Sequence, residues 1–204
     1  MGLPNYLTFL RIFITPLFMI IYLKSYWFGI SGIVQPYILL SLIILTELSD
    51  VFDGFFARKF SQVTDLGKIL DPVVDSVYRI SVFITFTQPP VNLPILLIFI
   101  FLARDSVTST LRTVCALRGF VLAARTTGKL KAILQGTISV LIILAMIPYS
   151  LGKFSSETLM KISTIGVSLV AVYSVFSGIE YLWANKSYLF LLLKEPRNSG
   201  KGSR

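Results

Sequence analysis

The feature that most constrains this chain is a series of long apolar stretches. Several of them reach about 18 residues, the length an α-helix needs to cross the roughly 30 Å hydrocarbon core of a bilayer. Only 14% of the 204 residues are charged, well below the roughly 25% of soluble domains. We therefore predict an all-α integral membrane protein with six transmembrane helices in one bundle. The predicted helices cover residues 7–26, 35–57, 72–88, 92–117, 133–151 and 160–183.

Basic residues are distributed unevenly between the connections. They concentrate between the second and third helices, between the fourth and fifth, and after the sixth. The positive-inside rule places these segments and both termini in the cytoplasm. We expect a multi-pass protein of a bacterial cytoplasmic membrane whose active site faces the cytoplasm. One membrane domain should cover residues 1–194, and the basic tail over residues 195–204 should be disordered.

The net charge of +9 suits this topology, because basic residues also attract anionic lipid headgroups. No soluble domain exists to carry a nucleic-acid site, so we expect membrane lipids and no nucleic acid as partners. The chain has one cysteine and no histidine. Any metal site must therefore use oxygen ligands, which favours Mg²⁺, Mn²⁺ or Ca²⁺ over zinc or copper.

Four aspartates are the strongest functional signal. Asp50 and Asp53 are three residues apart near the end of the second helix, and Asp71 and Asp75 are four apart at the start of the third. Each pair therefore projects from one helix face, and the short connection predicts antiparallel neighbours with converging carboxylates. Four carboxylates at membrane depth would repel one another unless cations separated them, so a two-metal site for a pyrophosphate is the simplest explanation. The alternative is that they cap helices or pair with nearby basic side chains.

The spacing of these aspartates, with small residues between them, resembles the complete signature of the CDP-alcohol phosphatidyltransferase family. The resemblance implies a six-span membrane enzyme that transfers the phosphatidyl group of CDP-diacylglycerol to a small alcohol, and it suggests a homodimer. The signature residues are Asp50, Asp53, Gly54, Ala57, Arg58, Gly67, Asp71 and Asp75.

The resemblance also implies roles for these residues. Asp50, Asp53 and Asp71 would bind two Mg²⁺ or Mn²⁺ ions that hold the CDP pyrophosphate. Asp75 would complete the second ion's ligands and act as the general base on the acceptor hydroxyl. The residues expected to bind CDP-diacylglycerol are Asn5, Thr8, Gly54, Ala57, Arg58, Thr64 and Gly67.

Near the amino terminus, two predicted ligands have an alternative interpretation, and one arginine is expected to join the site. Asn5 or Thr8 could equally serve as the N-cap of the first helix. Arg11 interrupts the first apolar run, and we expect it to reach the same polar pocket as the aspartates.

Basic residues on and after the fourth helix predict a phosphorylated acceptor. Arginine forks suit a phosphate dianion, and lysine adds a point charge. A simple pairing of Arg104 with Asp105 inside the bundle is the alternative for that arginine. The predicted phosphate ligands are Arg104, Arg112, Arg125 and Lys129.

The stretch over residues 103–135 resembles the branch of the family that uses glycerol 3-phosphate and forms phosphatidylglycerophosphate. That branch usually has lysine and glutamate where this chain has Ser76 and Asp105. Arg79, one turn beyond Asp75, is the candidate to replace the lysine. Two alternatives remain: a relative of the same family that uses inositol phosphate or another alcohol, and a divalent-cation transporter, whose carboxylates would lie near the midplane of a symmetric repeat.

Overall fold

The computed structural model describes residues 3–60, 65–117 and 125–187, and the side chains of residues 11–48, 73–115, 117 and 125–187. Within these ranges the chain forms six α-helices and one short 3-10 helix, which confirms the predicted all-α class. The α-helices are α1 Leu3–Lys24, α2 Gln35–Phe60, α3 Asp65–Thr85, α4 Ile95–Leu117, α5 Thr126–Ser150 and α6 Ser156–Ala184, and the 3-10 helix is Ser25–Phe28.

Each predicted membrane span corresponds to one observed helix, and two of the helices begin well before the predicted span. The helix α3 begins at Asp65 and α5 at Thr126, ahead of the predicted residues 72 and 133. Hydropathy marks only the apolar part of a helix, whereas backbone hydrogen bonding continues through a polar first turn. The predicted domain boundary at residue 194 and the tail over residues 195–204 lie outside the described residues.

The helices pack around one apolar core. The first helix contacts both α2 and α3, while α4 and α5 both pack against α6, and α2 also contacts α5. Aromatic rings fill the centre: those of Phe83 and Phe101 have centroids 5.0 Å apart, and Phe18 meets Phe86 edge-on at 6.1 Å. Every α-helix contributes at least one completely or almost completely buried side chain. These include Phe18, Leu39, Phe83, Phe101, Ile143 and Val167.

The outer surface of the bundle is also apolar. Large side chains such as Phe13 and Leu96 are 72% and 73% exposed, and similar exposed residues occur on all six helices. Such a surface in water would promote association, whereas lipid tails solvate it. By length and composition, α5 and α6 are able to cross a membrane, with mean hydropathies of 2.1 and 1.8. A shorter apolar segment covers Gln35–Leu48 of α2.

Candidate active site

The helix α2 carries two of the four aspartates, one turn apart, and α3 carries the other two, also one turn apart. Asp50 and Asp53 lie in the second half of α2, and Asp71 and Asp75 lie in the first half of α3. The side chains of Asp50, Asp53 and Asp71 lie outside the described residues, so the convergence of the four carboxylates stays a prediction. Asp75 is the member of the set whose contacts are described.

The residues expected to bind CDP-diacylglycerol also lie outside the described side chains, and their role stays a prediction. The backbone nevertheless corrects one interpretation. Because α1 begins at Leu3, Asn5 and Thr8 lie inside the helix and not at its N-cap. The set consists of Asn5, Thr8, Gly54, Ala57, Arg58, Thr64 and Gly67, of which Thr64 lies outside the described backbone as well.

Two arginines surround the carboxylate of Asp75. Arg11, only 2% exposed on α1, donates a hydrogen bond from Nη1 to Oδ1 of Asp75. Arg79, one turn further along α3, has its Nη2 4.0 Å from Oδ2 of the same carboxylate. Arg11 therefore reaches the polar region, as expected from its position in an apolar run. The negative charge of Asp75 is stabilised from two helices.

A cavity of about 600 Å³ opens beside Asp75, between α3, α4, α5 and the end of α6. All four predicted acceptor ligands line it, and Asp75 joins them from a more distant part of the chain. Four further charged or aromatic polar side chains also line it: Arg79, Asp105, Lys131 and Tyr181. The polar lining therefore includes Asp75, Arg79, Arg104, Asp105, Arg112, Arg125, Lys129, Lys131 and Tyr181.

Positive charge dominates this cavity. Six cationic side chains line it, against the two carboxylates of Asp75 and Asp105. Asp105 is already shared, since its Oδ1 lies 2.5 Å from Nζ of Lys131 and 3.1 Å from Nη1 of Arg104. Arg112 and Lys129 have no acidic partner among the described residues. The cavity is therefore suited to an anion that brings its own negative charge.

Arg104 makes structural contacts and also lines the cavity. Besides its contact with Asp105, it donates a 2.8 Å hydrogen bond from Nη2 to Oγ of Ser177 on α6. The arginine passes close to Gly178, where an added Cβ would lie 3.1 Å from its Cγ. The pairing with Asp105 that the sequence left as an alternative is therefore present. It does not remove Arg104 from the cavity wall.

Several polar residues near the site were missed by sequence reasoning. Lys131 belongs to the basic segment after α4 but was not among the predicted phosphate ligands; it is buried, pairs with Asp105 and lines the cavity. Glu47, one turn before Asp50 on α2, lies so close to α5 that a Cβ at Gly136 would be 2.9 Å from its Oε1. The helix α6 was given no site residue at all. An acidic or polar side chain in an apolar helix is the signal that could have found them.

Similarity to known proteins agrees with this arrangement. Residues 1–178 match the CDP-alcohol phosphatidyltransferase family. A CDP-diacylglycerol–glycerol-3-phosphate 3-phosphatidyltransferase from Bacillus subtilis is 30% identical over 190 residues, which make up 90% of this chain and 95% of the relative. The Rickettsia bellii protein of the same name is 31% identical over 92% of this chain and 97% of its own length.

A third relative is named for a different activity. A CMP-forming cardiolipin synthase from Streptomyces coelicolor is 34% identical, but over only 51% of this chain and 46% of its own length. The match of the family over residues 1–178 includes all four aspartates, the cavity-lining residues of α3 to α5, and most of α6. The chain belongs to the CDP-alcohol phosphatidyltransferases, a family of divalent-metal-dependent membrane enzymes of phospholipid biosynthesis.

Proposed function

We propose that this enzyme transfers the phosphatidyl group of CDP-diacylglycerol to glycerol 3-phosphate, giving phosphatidylglycerophosphate and CMP. The observation that carries the proposal is the cavity in which Asp75 faces a surplus of arginine and lysine side chains. A phosphate dianion on the acceptor would balance that charge, whereas choline, serine or glycerol would not. The Bacillus subtilis and Rickettsia bellii relatives are named for transfer to glycerol 3-phosphate, which supports the same acceptor.

In the proposed reaction, the cavity orients the acceptor and Asp75 receives its proton. The phosphate group of the acceptor binds Arg104, Arg112, Arg125 and Lys129. In this position the attacking hydroxyl group of the acceptor points towards α3. The hydroxyl oxygen attacks the phosphatidyl phosphorus and forms a new P–O bond, while the P–O bond to CMP breaks. The hydroxyl proton passes to the carboxylate of Asp75, and CMP leaves with the electron pair of the broken bond.

The donor set fits a pair of hard divalent ions. Asp50, Asp53, Asp71 and Asp75 offer only carboxylate oxygens, which Mg²⁺ and Mn²⁺ prefer. The described member of the set, Asp75, borders an open cavity and is not enclosed in the apolar core. Two bound ions would supply charge neutralisation for the pyrophosphate of CDP-diacylglycerol. The proposed CDP contacts from Gly54, Arg58 and Thr64 belong to the same region of the chain.

The proposed membrane arrangement has all six helices crossing the bilayer, with the site at the cytoplasmic end. Exposed apolar side chains on every helix support it, as do aromatic residues beside lysines at helix ends. Lys24 lies over the rings of Tyr26 and Trp27 after α1, and Lys186 lies over Trp183 after α6. Membership of the family also supports a homodimer, which a measurement of molecular mass in detergent would test.

Of the alternatives left open by the sequence, one within the family remains. An inositol phosphate would also bring a phosphate group to the basic cavity. The divalent-cation transporter is set aside, because the chain belongs to a family of enzymes. An alcohol without a phosphate group would not balance the excess positive charge of the cavity.

An acceptor panel tests the proposal. Purified enzyme in mixed micelles with CDP-diacylglycerol and Mg²⁺ would be assayed for CMP release with glycerol 3-phosphate, glycerol, serine and inositol 1-phosphate. We expect release with glycerol 3-phosphate, and little with the others. A preference for inositol 1-phosphate would overturn the acceptor and keep the family chemistry. A preference for glycerol or serine would overturn the phosphate site itself.

A further inference from the structure

The carboxylate of Glu180 on α6 joins two residues at the start of α5. Its Oε1 accepts a hydrogen bond from Nη1 of Arg125, and its Oε2 accepts one from Oγ1 of Thr127 at 2.8 Å. Arg125 immediately precedes α5, and Thr127 lies in the first turn of that helix. Both oxygens of the Glu180 carboxylate therefore bind side chains of the segment that places Arg125 and Lys129 at the cavity.

A second contact from α6 lies one turn earlier. Ser177 is completely buried and accepts a 2.8 Å hydrogen bond from Nη2 of Arg104. The adjacent Gly178 leaves room for the arginine, since a Cβ there would lie 3.1 Å from its Cγ. Tyr181, on the same stretch of α6, lines the cavity directly. One turn of α6 therefore touches two of the arginines that the proposed function assigns to the acceptor phosphate.

We propose that Glu180 is a positioning residue of the acceptor site, acting through Arg125. The inference rests on the proposed function, because it takes Arg125 to be a phosphate ligand. Arg125 is partly exposed, and a long unrestrained side chain loses rotamer freedom when it binds a phosphate. Holding one Nη on Glu180 fixes the guanidinium before the acceptor arrives, and leaves its other N–H groups for the phosphate. Thr127 fixes the backbone of the same turn.

The alternative is that the Glu180–Arg125 pair only stabilises the packing of α5 against α6. A purely structural tie would lower stability when broken, and would change the kinetic constants of both substrates together or not at all. A positioning role would instead raise the apparent KM for the acceptor selectively. The ratio of the two KM values therefore separates these explanations.

The experiment is a double-mutant cycle on the full-length enzyme. Glu180→Gln, Arg125→Gln and the double variant would be assayed for kcat and for KM towards glycerol 3-phosphate and CDP-diacylglycerol, with thermal unfolding as a check on folding. Loss of one charge-assisted hydrogen bond corresponds to about tenfold or more in binding. We expect each single variant to raise the acceptor KM by about tenfold, and the double variant to be no worse than Arg125→Gln alone.

A matched control lies on the same helix. Glu157 also pairs with a basic residue, since its Oε1 lies 2.6 Å from Nζ of Lys161, but it is 69% exposed at the opposite end of α6. Glu157→Gln should leave both KM values unchanged. Glu180→Asp keeps the charge on a shorter side chain, and an intermediate acceptor KM is expected. This variant also tests the proposal if Glu180→Gln does not fold.

Three results would overturn the proposal, in two different ways. A raised acceptor KM in Arg125→Gln with normal values in Glu180→Gln and Glu180→Asp would overturn the role of Glu180 alone. Multiplicative effects in the double variant would do the same, because they would mean that Glu180 acts independently of Arg125. An unchanged acceptor KM in Arg125→Gln would instead overturn the proposed acceptor site, and the positioning role with it.

Discussion

The guanidinium of Arg11 on α1 donates a hydrogen bond to the carboxylate of Asp75 on α3, across 64 residues of sequence. Arg11 is buried, whereas the side chain of Asp75 is 24% exposed and borders the cavity, so the ion pair joins the interior of the bundle to the cavity wall. A buried charge is costly unless it is paired. The pair links α1 to the carboxylate that we propose as the general base. Arg11 is thus a candidate to position Asp75.

We expect Arg11→Gln to lower turnover by about tenfold or more, because it leaves the carboxylate of Asp75 without its charge-assisted hydrogen bond. The variant should also unfold at a lower temperature. Arg11→Lys should restore part of the turnover, since it returns the charge but not the planar fork. The measurement is CMP release at saturating substrates. Lys24→Gln, at the exposed end of the same helix, is the control, and wild-type turnover in Arg11→Gln would contradict the prediction.

Metal dependence is the second prediction. Excess EDTA should abolish CMP release, and added Mg²⁺ or Mn²⁺ should restore it. Asp50→Asn, Asp53→Asn and Asp71→Asn should each lose most of the turnover, because a two-metal site tolerates little loss of ligand charge. Glu157→Gln should respond to EDTA and Mg²⁺ like the wild type. Full CMP release in the presence of EDTA would refute the metal site.

The third prediction concerns Asp75. Asp75→Asn should reduce turnover by about 10²–10⁴-fold, the usual contribution of a general base, with a smaller effect on CDP-diacylglycerol binding. Turnover would be followed by CMP release, and binding by protection against thermal unfolding. A variant that turned over normally at saturation but bound CDP-diacylglycerol much more weakly would show that Asp75 acts only as a ligand.

Arg112 is the subject of the fourth prediction. It lines the cavity without an acidic partner among the described residues, so its charge is available to the acceptor phosphate. Arg112→Gln should raise the KM for glycerol 3-phosphate more than the KM for CDP-diacylglycerol. Arg112→Lys should recover only part of the loss, because it cannot make a two-pronged contact. Lys161→Gln is the exposed control. If Arg112 only anchors α4 to lipid headgroups, both KM values should stay near those of the wild type.

Much of the fold could be read from local properties of the sequence. The length of the apolar runs predicts six helices, and the spacing of Asp50 with Asp53 and of Asp71 with Asp75 places each pair on one helix face. The starts of α3 and α5 were missed, because polar first turns are helical without being apolar. The same spacing, with Gly54, Ala57 and Gly67, was sufficient to identify the family.

The partners of the charged side chains were decided only by the tertiary structure. Sequence reasoning grouped Arg104, Arg112, Arg125 and Lys129 because they are close along the chain, and the structure places them around one cavity with Asp75. It also brings Arg11 to Asp75, and Glu180 to Arg125. Apolar length and helical spacing are set by neighbouring residues, whereas ion pairs between helices depend on how each helix is rotated and packed against the others. That rotation is determined by the whole core at once. A polar residue such as Glu180 is visible in the sequence of α6, but its partner Arg125 is revealed only by the packing.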